Sequence, residues 1–372
     1  MSKILIFAND YKTIANFRME LLERFLELGH TVALSLPEDE RNNVFTDMGC
    51  EVIPAPITRH GTNPIAELKL IRVYKKQIKQ IAPDCVLTFT VKPNIYASIA
   101  AAARRVPYIN NITGLGSVMQ SESFLKKMML RLQKYAFRKS SCVFFQNEGN
   151  LRYFKERRIV GEQARLLPGS GVNLKLHSFS EYPSEQETID IAIVSRLRKD
   201  KGYDEFFAMM RTLLKRYSKL RLHIIGWIEE EGYREILAQY ENEPRVIYHG
   251  ELTQAQVHEV LRSCHCLCHP SYHEGMANVL MEAAAAGRPT LASDIPGCRE
   301  IVEQGVTGFT FRVQDAEALT EAVERFLALE EEAHREMGKK AREKMEREFD
   351  REIVIRSYLE QIEAATASEV GV

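Results

Sequence analysis

Short apolar runs alternate with longer segments of helical periodicity along the whole chain. In the first half the runs are Ile4–Ala8, Thr31–Leu36, Glu51–Ile53, Cys85–Phe89, Tyr108–Ile112, Cys142–Gln146 and Arg165–Leu167. Helical repeats fall between them at Phe17–Leu28, 40–48, Pro64–Ile81, Ile95–Ala103, Phe124–Arg138 and 149–156. The first of these places apolar residues at 19, 21, 22, 25, 26 and 28 and stops at Gly29. The pattern restarts after 170–185. Strands are predicted at Ile189–Val194, Leu220–Gly226, Val246–His249, Cys266–His269, Pro289–Ser293 and Phe309–Phe311. The helices between and after them are predicted at Tyr203–Tyr217, Arg234–Tyr240, Thr253–Ser263, Val279–Ala286, 298–304, Ala316–Leu329, Glu332–Glu348 and Ile353–Ala364. Such alternation implies parallel sheets with right-handed crossovers and helices on both faces. Two open sheets would face each other across a cleft, with ligands at the carboxyl ends of the strands.

Composition fits this picture. The 372 residues allow two domains, and 45% hydrophobic with 27% charged residues is ordinary for a soluble globular protein. No apolar run approaches the roughly 20 residues of a membrane span. The opening M-S-K-I-L-I-F-A-N-D reads as a first core strand rather than a signal peptide. Seven scattered cysteines point to a reducing cytoplasm. Cys264, His265, Cys266, Cys268 and His269 resemble a metal site at first sight. Zinc ligands favour wider spacings, however, and alternate cysteines on a strand would share one apolar face.

Charge does change the picture. The net charge is −1, yet residues 1–180 carry 26 basic and 15 acidic side chains, and residues 181–372 carry 24 and 36. The basic half is expected to meet an anionic partner, with nothing pointing to nucleic acid.

Candidate chemistry concentrates in Ser271–Glu300. A loop with Glu274 and Gly275 opens onto a helix-forming run that stops at Gly287, followed by a strand and a second glycine loop at Gly297. Backbone N–H groups at a helix start suit an anion, and nearby carboxylates suit hydroxyls. Phosphate plus polyol suggests a nucleotide sugar.

Glu274 and Glu282, with Gly275 directly after the first, resemble the paired-glutamate motif of the retaining glycosyltransferases of family 4. The stretch A-A-A-G-R-P-T-L-A-S-D-I-P-G-C-R-E-I-V and the region I-D-I-A-I-V-S-R-L-R-K-D-K-G are similar to the same family. The resemblance covers nearly the whole chain, most strongly 165–312. It implies two Rossmann-like domains of the GT-B type. Their expected bounds are 1–170 for the acceptor and 171–350 for the nucleotide sugar, with 351–372 a helix returning to the N-terminal domain. It also implies roles. Arg196 and Lys201 would clamp the diphosphate and stabilise leaving-group charge. Glu274 would touch the transferred sugar, and Glu282 the ribose. Gly275, Met276, Ala277, Asn278 and Val279 would present backbone N–H groups. Gly226, Gly250 and Glu251 would lie against the base. No D-x-D triad occurs, so no divalent metal or other cofactor is expected.

The first half departs from common family members. It has D-Y-K-T-I-A-N-F-R where many have Gly-Gly, and Thr113 where a sugar-contacting His is usual. F-T-V-K-P-N-I-Y with N-I-T-G-L-G instead looks like the branch that extends lipid-linked oligosaccharides. Asn16, Arg18, Lys92 and Thr113 are the acceptor-site candidates. Helix 124–139 mixes Phe124, Met128, Leu130, Leu132, Tyr135 and Phe137 with six cations. With Arg72, Lys75, Lys76 and Lys79 it suggests peripheral contact with anionic lipid at the inner membrane face. The expectation is a metal-independent retaining transferase moving a sugar from a UDP-sugar to a polyprenyl-diphosphate-linked acceptor. A nucleotide-sugar epimerase of the same architecture is the alternative, as is a silent sugar-nucleotide binding protein.

Overall fold

A computed structural model describes residues 1–57, 63–114 and 124–367. It divides into two compact units, Met1–Ser170 with Glu352–Val372, and Gly171–Arg351.

Among the described residues of the first unit, seven strands form one parallel sheet. They are β1 (Lys3–Phe7), β2 (Thr31–Leu36), β3 (Glu51–Pro54), β4 (Cys85–Phe89), β5 (Tyr108–Ile112), β6 (Cys142–Phe145) and β7 (Ala164–Leu166). Their order is β3-β2-β1-β4-β5-β6-β7, all pairs parallel. The apolar runs are continuous rather than alternating because both faces are covered. Ile4, Ile6, Leu87, Phe89 and Phe144 pack with Leu22 and Phe25 of helix Met19–Glu27. Leu5, Phe7 and Val86 pack on the other face against helices Pro64–Ile81 and Val91–Arg104. The C-terminal helix Arg351–Ala367 belongs to this unit's core through Val354, Ile355, Tyr358 and Ile362. Its Tyr358 ring lies 4.9 Å from that of Phe144, and Asn111 Nδ2 donates to its hydroxyl at 2.5 Å.

The second unit has β8 (Ile189–Val194), β9 (Leu220–Ile225), β10 (Val246–Gly250), β11 (Cys266–His269), β12 (Thr290–Ser293) and β13 (Gly308–Phe311). Their order is β10-β9-β8-β11-β12-β13, again parallel. The order reverses between β8 and β11, and such a switch point opens a crevice at the strands' carboxyl ends. Helix Asn278–Ala285 buries Ala283, Ala284 and Ala285, and small side chains let its neighbours come close. Helix Glu331–Lys344 comes so near that a Cβ on Gly338 would lie 2.2 Å from the Gly287 carbonyl.

Three readings are corrected. Where a helix is expected over 298–304, turns occupy 296–301 and Gln304 forms a bridge with Gly308. The segment opens with Pro296–Gly297, and its Ile295, Cys298, Ile301 and Val302 all point into the core. The loop D-Y-K-T-I-A holds a short helix, Tyr11–Ala15, capped by Asp10 accepting from the Thr13 N–H at 2.7 Å. The three cysteines do not share a face. Cys266 and Cys268 enter one apolar cluster, whereas Cys264 precedes the strand and enters another. In helix Phe124–Phe137 the apolar side chains divide between two sides. Met129, Leu130, Leu132 and Phe137 pack inward, while Met128 and Tyr135 are exposed. Leu115 and Gly116 of the N-I-T-G-L-G motif lie outside the described residues.

Candidate functional site

The carboxyl ends of β8 and β11 are adjacent, and the loops that leave them are tied together through backbone. Tyr272 N–H donates to the Asp200 carbonyl at 2.9 Å. Gly202, at φ +76°, has no room for a side chain because a Cβ would lie 2.1 Å from the Pro270 carbonyl oxygen. Tyr272 also anchors its hydroxyl on Glu205 at 2.8 Å. The result is that two residues far apart in sequence meet: Lys201 Nζ lies 2.6 Å from Glu274 Oε1 and 3.4 Å from Ser271 Oγ. His269 Nε2 reaches the same Glu274 oxygen at 3.0 Å.

The Glu274 loop is held from behind. Ala277 N–H donates to the Gly297 carbonyl at 2.9 Å, and a Cβ on Gly297 would lie 2.8 Å from the Gly275 carbonyl oxygen. Gly297 N–H donates to Glu300 Oε2 at 2.7 Å. No side chain caps helix Asn278–Ala285; Leu280 N–H turns back to the Ala277 carbonyl at 3.0 Å, and among the described residues the Asn278 and Val279 N–H groups remain for a ligand. Asn278 Oδ1 is buried with no hydrogen-bond partner among the described residues. Met276 and Ala277 are buried, and Val279 is partly so.

Arg196 follows β8 and pairs with Glu229 Oε2 at 2.6 Å; Arg198 holds the other oxygen at 3.1 Å. The Arg196 guanidinium lies 5.8 Å from the ring centre of Trp227, the protein's single tryptophan, which is 40% exposed. Gly226, at φ +139°, sits where a Cβ would be 1.9 Å from the Ser195 carbonyl oxygen. Its N–H donates to the Gly250 carbonyl at 2.8 Å, and the Tyr248 hydroxyl donates to the Gly226 carbonyl at 3.0 Å. Glu251 is exposed beside them. Sequence reasoning overlooked Trp227, Glu229 and the contact of His269 with Glu274. A lone tryptophan directly after Gly226 was the available signal.

The two glutamates have opposite environments. Burial would raise the Glu274 carboxyl, but the charge of Lys201 and the His269 hydrogen bond outweigh it and hold it below the usual carboxylate range. Glu282, partly buried, is pushed up to about 7 by desolvation, against the pull of Arg351 and a Gln254 hydrogen bond.

In the first unit the acceptor candidates follow the carboxyl ends of β1, β4 and β5. Asn16 is exposed and Thr113 partly so. Lys92 pairs with Glu67 Oε1 at 2.7 Å. Arg18 is not a loop cation: it is 2% exposed, with its guanidinium 4.8 Å from the Phe89 ring centre and 2.6 Å from the Phe17 carbonyl. Stacking on a core aromatic takes it out of solvent, so it shapes this end of the sheet from within.

Comparison with known proteins follows the same division. The family model "Glycosyl transferases group 1" matches residues 176–344, and "Glycosyl transferase 4-like" matches residues 3–147. The chain is a glycosyltransferase, its second unit matching the group 1 model and its first the 4-like model. As such it is a sugar-transferring enzyme on two Rossmann-like sheets. It is 26% identical over 363 residues, 93% of this chain and 94% of the relative, to the N,N'-diacetylbacillosaminyl-diphospho-undecaprenol alpha-1,3-N-acetylgalactosaminyltransferase of Campylobacter jejuni. Anabaena Alr3699/HepE, solved with UDP, shares the fold at a TM-score of 0.79 and 17% identity, covering 97% of this chain and 100% of that one. A Listeria monocytogenes structure assigned as a UDP-N-acetylglucosamine 2-epimerase shares it at 0.72 and 15%, covering 98% and 97%.

Proposed function

We propose that this glycosyltransferase moves a hexose or N-acetylhexosamine from a UDP-sugar to a polyprenyl-diphosphate-linked sugar, with retention of anomeric configuration. The observation that carries the reading is the meeting of Lys201 and Glu274 at the switch point, beside Arg196 and an uncapped helix start. At Lys201 and Glu274 a cation for a diphosphate and a carboxylate for sugar hydroxyls are in contact. The Campylobacter relative acts on an undecaprenyl-diphosphate-linked acceptor, which supports the acceptor class. The Anabaena protein, of like fold, was crystallised with UDP-glucose, which supports the donor class.

In this reading Arg196 and Lys201 leave Glu229 and Glu274 to hold the diphosphate, and Glu282 accepts from the ribose hydroxyls. Asn278 Oδ1 gains the partner it lacks. The sugar's C1–O bond to phosphate breaks as the acceptor oxygen bonds C1 from the same face, and the acceptor's proton passes to the leaving diphosphate. No protein nucleophile and no divalent metal enter the step. Trp227 lies beside Gly226, Gly250 and Glu251, where the base would rest, so UDP is expected to change its fluorescence.

The basic first unit would rest on anionic lipid. One face of helix Phe124–Phe137 exposes Lys127, Met128, Arg131, Lys134 and Tyr135, continued by Arg138. Helix Pro64–Ile81 exposes Ile65 and Leu68 with Lys69, Arg72, Lys76 and Lys79.

The experiment incubates the protein with UDP-N-acetylgalactosamine, UDP-N-acetylglucosamine or UDP-glucose and an undecaprenyl-diphosphate-linked saccharide, with EDTA present. Mass spectrometry should show one added sugar, and NMR an α-linkage from the α-configured donor. Absence of transfer from every UDP-sugar sinks the reading. Turnover of the nucleotide sugar without acceptor, giving its epimer, would put the epimerase in its place.

A further inference from the structure

The proposed reaction gives His269 no task, yet its placement is specific. It closes β11, is 4% exposed, and puts Nε2 3.0 Å from Glu274 Oε1. The same oxygen takes Lys201 Nζ at 2.6 Å. An ionised carboxylate offers only acceptors, so the imidazole must carry its proton on Nε2 to make this contact. Two donors of different kinds thus share one oxygen: an ammonium on a flexible four-carbon stem, and a ring fixed to the end of a core strand. Glu274 Oε2 makes no hydrogen bond among the described residues and remains for a sugar hydroxyl.

We propose that His269 is a positioning residue, which holds Glu274 through Nε2–H while Lys201 passes from that carboxylate to the donor diphosphate. The inference rests on the functional reading above. An arriving diphosphate competes for Lys201, and a carboxylate only 15% exposed that lost its sole cation would swing or take up a proton. The buried histidine does not follow the lysine, so Glu274 keeps one donor and one orientation throughout. Its Oε2 then meets the sugar from a fixed point, which is what discrimination between hydroxyl epimers demands. A metal role for His269 is closed off, because the neighbouring thiols of Cys266 and Cys268 point into an apolar cluster.

The test compares the full-length wild type with His269→Leu and His269→Gln. Each is titrated with UDP and with the three UDP-sugars named above, assayed for transfer, and checked for folding by thermal unfolding. Glutamine returns an N–H near the position of Nε2; leucine does not. His269→Leu should bind UDP within about twofold of wild type but lose roughly tenfold or more in kcat/KM for the UDP-sugar, the weight of one hydrogen bond to a charged group. His269→Gln should recover most of that loss. The inference is overturned if His269→Leu handles the UDP-sugar like wild type. An equal loss for UDP and UDP-sugar also overturns it, as does a folded His269→Gln no better than His269→Leu. A wild type that binds neither UDP nor any UDP-sugar overturns the functional reading and this inference together. Wild-type transfer with an unaffected His269→Leu removes this inference alone.

Discussion

At the scale of single residues, the site separates charges that sequence alone would treat as equivalent. Removing Arg196 or Lys201 by alanine substitution should each lower kcat/KM for the UDP-sugar by about 10–100-fold, the effect of one charge-assisted contact to phosphate. Steady-state kinetics with a UDP-sugar would show it. Glu282 gives a pH signature. The unfolded chain releases the Glu282 proton near the ordinary carboxyl value of 4.5 and the native chain near 7. Between these values the native state holds the extra proton, so stability falls as pH rises and the penalty is constant above about 7. Glu282→Gln should therefore be more stable than wild type at pH 8, by up to about 3 kcal/mol, and equal to it near pH 4. Urea unfolding at the two pH values would measure the difference. UDP affinity should rise with pH through about 7 in the wild type, since ribose hydroxyls donate to the ionised form, and should lose that dependence in Glu282→Gln.

At the scale of elements, the helix that carries Glu282 is placed by a buried arginine. Arg288 is 1% exposed, and its two terminal nitrogens donate to carbonyls ending two helices and to the segment that leads into β8. The partners are Ala286 and Gly287 at 3.1 and 3.2 Å, Arg262 at 2.7 Å, and Ser180 and Glu181 at 3.1 and 2.9 Å. Carbonyls at helix ends carry partial negative charge, so a cation can be accommodated there without a carboxylate. Its pKa is nonetheless drawn down to about 10 by burial. Arg288→Met should cost about 3 kcal/mol or more, because it strands several buried acceptors at once. Chemical denaturation at neutral pH would reveal it. A lysine in its place has one point of charge and cannot reach three strands of chain.

At the scale of the whole molecule, the uneven charge of the sequence becomes exposed faces. The outward sides of helices Phe124–Phe137 and Pro64–Ile81 carry cations with a few exposed apolar side chains. Each basic residue near an anionic surface contributes about 1 kcal/mol, screened by salt. The protein should float with vesicles containing phosphatidylglycerol at low salt and less so at 0.5 M salt, a condition of roughly half the usual screening length. Replacing Lys127, Arg131, Lys134 and Arg138 by glutamine should weaken flotation while leaving UDP affinity intact. No helix among the described residues is long and apolar enough to cross a membrane.

The sequence by itself determined the two parallel sheets, because buried strands leave continuous apolar runs and crossover helices leave a 3.6-residue repeat. Its resemblance to the retaining glycosyltransferases also marked Arg196, Lys201, Glu274 and Glu282, and glycines 202 and 297 lie where backbone passes close to backbone. The turns at 296–301 and the short helix at Tyr11–Ala15 were not legible. Both are a few residues long, and their form follows from what Ile295, Cys298 and Ile14 bury against. Nor could spacing tell that Arg18 stacks inside the core while Lys92 meets Glu67, as both are cations in loop-like surroundings. Only the tertiary structure put Lys201 and His269 on one oxygen of Glu274. That contact depends on β8 and β11 being neighbours, and strand order is set by long-range packing rather than by any local pattern.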